Sequence, residues 1–166
     1  LATAQPNRVS SVRRRLVTHL VKLVADVAAP LAADDRGDAL GLLRELYATL
    51  GERSSADAVA AQRQQLLDEA AARATDPLVQ PTYDWARAET YLWLGLGDRA
   101  IAMLSERERQ LPGDYNAAHR LGRVYLELGR AAEAIAACDR ALVKAYGPRR
   151  VEILGLRADA LDKHGQ

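Results

Sequence analysis

The sequence predicts an all-α protein of about eight helices arranged as antiparallel hairpins. Three observations carry this. Alanine and leucine dominate, phenylalanine is absent, and no long Val/Ile/Thr alternation appears, which favours helix over strand. Apolar residues recur every three or four positions along most of the chain. Glycine and proline breakers separate segments of ten to twenty residues. With 166 residues, 49% hydrophobic and 27% charged, the chain can bury a core and reads as globular rather than disordered.

The first helix is expected over residues 8–29. Val9, Val12, Leu16, Leu20, Leu23 and Val27 form its stripe, Val17, Val21 and Val24 widen it, and Pro30 ends it. The stretch "AADDRGD" reads as a turn, with Asp38 capping a second helix over 39–50 that stops at Gly51. Ser54 or Ser55 caps a third helix over 56–75, and "TDPLVQP" breaks the chain. Five shorter helices follow at 82–94, 98–110, 115–128, 130–145 and 149–164, with "LPGD" and "YGP" between the later pairs. The reading divides the chain into a helical part at 1–80, a repeat region at 81–148 and a C-terminal capping helix or truncated third repeat at 149–166.

Net charge is +1, so nothing draws the whole protein toward nucleic acid or an anionic membrane. The charge is unevenly spread. Residues 1–30 carry five basic residues against one acid, and residues 31–80 carry five against nine. Arg8 with Arg13, Arg14 and Arg15 offers a basic arm for phosphates, with a steep salt dependence as its signature. No aromatics interleave, so a solvated helix face is the plainer reading and no nucleic-acid partner is expected. The longest apolar run, 16–33, is interrupted by His19, Lys22 and Asp26 and is no membrane span. The chain opens without Met and shows no signal-peptide pattern, which reads as an excised domain or processed product; compartment stays open.

An internal register stands out. "YLWLG" (91–95) and "YLELG" (125–129) lie 34 residues apart, and "YATLG" (47–51) is a looser copy. Tyr91 and Tyr125, Leu94 and Leu128, Gly95 and Gly129, Ala100 and Ala134, and Ile101 and Ile135 pair without a gap. Ala88 matches Gly122, and Leu104 matches Cys138. A small residue at 88 and 122 lets the two helices of a hairpin approach closely, and Gly95 and Gly129 turn the chain between them. This helix-turn-helix period resembles the tetratricopeptide repeat family, with repeats at 81–114 and 115–148 and a degenerate one at 37–77 where Arg44 stands in for a small residue. At the end, Ala158, Leu161 and Gly165 fit the same register after a two-residue insertion near Arg149. The run from "LPGDYNAAHRLGRVYLELGR" to "RADALDKHG" also looks like the repeat half of bacterial proteins that join a thioredoxin-like domain to a C-terminal tetratricopeptide region. The family's redox motif, C-x-x-C, would lie in a preceding domain that this sequence does not contain.

Little in the sequence can do chemistry. Cys138 is the single cysteine and stands where Leu104 stands in the other repeat, so it reads as packing rather than nucleophile. His19, His119 and His164 show no ligand spacing with one another or with Cys138, and no metal or cofactor is expected. Asp34–Asp35 and Asp68–Glu69 read as capping or solvated acids, and "GLGD" (95–98) as a turn with an N-cap. No phosphate-binding or nucleophile-elbow motif is present, so no enzyme is expected.

The resemblance implies a right-handed superhelix whose concave face binds protein. Its recognition positions fall on Thr82, Trp85, Glu89, Leu92 and Trp93, then on Asn116, His119, Arg123, Leu126 and Glu127. The expected protein-binding residues are Trp85, Glu89, Trp93, Asn116, His119 and Arg123, with both tryptophans either in the groove or in the core. The carboxylate-clamp residues of chaperone-docking members are absent, since Trp85 and Glu89 hold those places. The expected role is a non-catalytic scaffold for a protein segment or a neighbouring domain, with apolar end faces that can support a homodimer. The alternative is a substrate-positioning module of a thioredoxin-like oxidoreductase.

Overall fold

The computed structural model describes residues 6–26 and 28–165, with side chains from residue 9 onward. Val27 of the expected first stripe and the Arg8 side chain lie outside these. Among the described residues there are eight helices and no strand: α1 (Pro6–Ala25), α2 (Ala33–Thr49), α3 (Arg53–Arg73), α4 (Gln80–Trp93), α5 (Gly97–Gln110), α6 (Asn116–Glu127), α7 (Ala131–Lys144) and α8 (Arg149–Lys163). The chain forms two compact units that part between Ala86 and Arg87, inside α4.

The first unit is built on α1, α2 and α3. Leu20 and Val24 of α1 form one cluster with Leu40, Leu43 and Leu46 of α2, and Val17, Tyr47, Val59 and Leu66 pack against it. The buried edge of α1 is therefore 17–20–24. Val9, Val12, Leu16 and Leu23, expected to face inward, are exposed, Val12 by 63%. The apolar arc of α1 is wide, and α2 covers only one side of it.

Two boundaries differ from expectation for electrostatic reasons. Helix α1 ends at Ala25, before Pro30 could stop it. The Arg36 guanidinium donates to the carbonyls of Val24 (2.7 Å) and Asp26 (3.0 Å), and Asp26 accepts the Ala28 amide (2.9 Å). Those bonds finish the helix early. Residues 33–38 are helical rather than a turn, so Asp38 lies inside α2 instead of capping it. Asp34 and Asp35 occupy its first turn, where carboxylates oppose the positive end of the helix dipole. Ser54 and Ser55 likewise lie within α3 rather than ahead of it.

Helices α2 and α3 meet at a notch. Gly37 and Gly41 are both buried and one helical turn apart. A Cβ on Gly37 would come within 2.8 Å of Leu67 Cδ2, and one on Gly41 within 2.9 Å of Arg63 Cζ. Arg63 is 4% exposed, and its Nε donates to the Gly37 carbonyl at 2.8 Å. Leucine and guanidinium thus fill the space two glycines leave open.

In the second unit α5, α6, α7 and α8 pack in chain order, and α6 also touches α8. The 34-residue register is repeated in the backbone. Gly95 and Gly129 have φ of 72° and 73°. In each case the glycine amide donates three residues back (to Leu92 and Leu126), and the next amide donates to the tyrosine carbonyl (Tyr91 and Tyr125, both 2.8 Å). This double bond pattern closes a helix on a left-handed residue. Gly51 (φ 77°) closes α2 the same way, with Glu52 donating to Tyr47 at 2.9 Å. That turn leads the chain straight into α3. The paired core positions agree too: Ala88, Ala100, Leu104, Ala134 and Cys138 are all fully buried. A Cβ on Gly122 would lie 2.9 Å from Cys138 Sγ and 3.2 Å from Leu156 Cδ2, so α6, α7 and α8 converge on that glycine.

Candidate functional site

The expected recognition residues fall on α4 and α6, and the boundary between the two compact units runs inside α4. Trp85 belongs to the first unit; Glu89, Trp93, Asn116, His119 and Arg123 belong to the second. Trp85, Glu89 and Trp93 are each half-buried. Thr82 is exposed and donates to the Val79 carbonyl (2.7 Å), which makes it a helix-start residue. Asn116 is occupied as well: its amide side chain and its backbone N–H both donate to Asp114 Oδ1, at 2.8 and 3.0 Å.

His119, Arg123, Leu126 and Glu127 share one face of α6, and that face looks onto α8. His119 is only 8% exposed, with Nε2 3.9 Å from Glu152 Oε1. One turn further on, Arg123, Leu126 and Glu127 form one wall of an open cleft of about 360 Å³. Leu156, Asp159, Asp162 and Lys163 of α8 form the other. Leu126 is nearly buried and Leu156 half-buried, so the cleft has an apolar floor and charged rims.

The α8 residues were not among those expected, although a signal for them existed. Thirty-six residues beyond Arg123, Leu126 and Glu127 stand Asp159, Asp162 and Lys163, the same register with its two-residue insertion. The insertion breaks the gapless 34-residue register that marks the other two copies, which weakens the signal.

Burial depresses the His119 pKa; Arg123 and Arg120 act in the same direction, while Glu152 opposes them. A histidine whose folded pKa lies below its unfolded value leaves more protons on the unfolded chain, so stability rises with pH. The contribution is complete above about 6.5, the ordinary histidine value, and is lost as pH falls through the lower folded pKa. Chemical denaturation between pH 7 and pH 5 should show this loss, and His119→Gln should flatten that part of the profile. An unchanged profile would remove His119 as its source.

The site holds no reactive pair. Cys138 is fully buried, and burial, aided by Asp139, pushes its thiol up to about 11. A protonated thiol at neutral pH is a poor nucleophile. Among the described residues no group of three His, Cys, Asp or Glu side chains is placed to hold a metal ion, and no helix is long and apolar enough to cross a membrane. What the α6/α8 face offers is an open, partly apolar cleft with charged edges. No family model, curated protein or solved structure matches the chain.

Proposed function

We propose that this chain is a non-catalytic scaffold of tetratricopeptide type that binds a protein segment, from another chain or from a neighbouring domain of its own polypeptide. The observation that carries this reading is that Arg123, Leu126 and Glu127, which the tetratricopeptide resemblance puts among the recognition positions, line the α6/α8 cleft. Binding would bury a partner side chain on Leu126 and Leu156 while the rim charges set its orientation. The regular backbone turns at Gly95 and Gly129 support a repeat architecture, in which function resides in surface side chains rather than in a catalytic set.

A photo-crosslinking residue at Glu127 tests this, with one at the exposed Ala136 of α7 as control. The expected outcome is a discrete protein adduct from position 127 that is absent from position 136. An adduct with the mass of a second copy would make the partner the protein itself. Equal labelling at both positions, or none at 127, would reject the groove.

A further inference from the structure

We infer that the α6/α8 cleft selects a basic side chain, arginine or lysine, from the segment it binds. The inference rests on the proposed function and adds the chemistry of the occupant.

The orientation of the two helices comes first. His119 faces Glu152 near the N-terminal half of each helix, and residues 123–127 face residues 156–163 near the C-terminal half. The helices therefore run parallel, and both C-terminal ends meet at the cleft. Glu127 is the last residue of α6 and Lys163 the last of α8. A helix C-terminus carries about −0.5 of an elementary charge, so two such ends favour a cation between them.

The side chains add to this. Glu127, Asp159 and Asp162 bring three carboxylates to the lining against the two cations Arg123 and Lys163. The side chains alone leave one net negative charge on the lining, and the two helix ends act in the same direction. The floor fits the same guest. Leu126 and Leu156 can take the methylene stem of a lysine or arginine while its head stays among the rim carboxylates. A cleft of about 360 Å³ lies at the small end of the ligand-pocket range, about 300–1,000 Å³, and has room for a long side chain. An acidic guest would meet three carboxylates and two unfavourable dipole ends. A purely apolar one would leave the rim charges desolvated and uncompensated.

The test uses the full chain with labelled leucine methyl groups and three probes: the N-acetyl N-methylamides of arginine, leucine and glutamate. The arginine probe should shift the Leu126 and Leu156 methyls, with an affinity that falls as salt rises. The same probe should bind on the order of tenfold more weakly to Glu127→Gln/Asp159→Asn, a surface change that circular dichroism would show to be folded. Glutamate should shift these methyls least. If leucine matches arginine, the cleft binds without charge selection: this inference fails and the proposed function stands. Stronger binding of glutamate, or arginine binding indifferent to the carboxylate changes, would overturn the inference outright. If none of the probes shifts either methyl, both readings fall together.

Discussion

Gly41→Val should destabilise the α1–α2–α3 unit by about 2–4 kcal/mol. The Arg63 guanidinium lies where the new Cβ would go, 2.9 Å away at Cζ and 3.0 Å at Nη2. A long side chain usually moves aside. This one is 4% exposed and donates to the Gly37 carbonyl, so moving it breaks a buried charged hydrogen bond. The measurement is hydrogen exchange of the α2 and α3 amides, which reads this unit without the other. A second background separates the guanidinium from a general dislike of larger residues. With Arg63→Met in place, Gly41→Ala should become neutral or stabilise by up to about 1 kcal/mol, because alanine is the better helix former. In the native background the same alanine should cost stability. An identical effect in both backgrounds would show that glycine is not there for the arginine.

Gly122→Val should cost a comparable amount, about 2–4 kcal/mol, in the second unit. The Cβ would meet Cys138 Sγ at 2.9 Å, Leu156 Cδ2 at 3.2 Å and the Ala134 carbonyl at 3.5 Å. Two side chains from two helices and a backbone oxygen bound the site, so relief at one leaves the others. Cys138→Ala removes the nearest obstacle and should recover part of the loss, while costing about 1 kcal/mol in the native background. The substitution also reaches the cleft. Leu156 touches Gly122 on one side and floors the cleft on the other, so a valine at 122 should displace it and weaken the arginine probe even under conditions where the chain stays folded. Full additivity of Gly122→Val and Cys138→Ala in denaturant titrations would contradict this packing.

Much of the fold was legible before any coordinates. Helix number and order follow from apolar periodicity and from breakers that act through their own backbones. Gly51, Gly95 and Gly129 adopt the left-handed conformation because each closes a helix there, a local requirement. Cys138 was readable as packing, since the register set it opposite Leu104. Elsewhere local signals misled. "AADDRGD" has turn composition, yet its acids stabilise a helix N-terminus, and Gly37 serves Leu67 rather than a bend. The α1 stripe was too broad for periodicity to say which edge α2 would cover.

The candidate site was half legible. Arg123, Leu126 and Glu127, which form its α6 wall, lie among the positions the tetratricopeptide resemblance implies; the α8 wall needed the fold. The sequence alone determined the number and order of the helices, the glycine-closed turns and which small residues recur, because those depend on interactions within a few residues. Tertiary structure decided which side of each helix is covered, which glycine receives which side chain, and that two helix C-termini share one cleft. Those outcomes depend on contacts such as Arg63 with Gly37, or Leu156 with Gly122, between residues 26 and 34 positions apart. No local propensity encodes such a pairing, and only close packing of whole helices selects it.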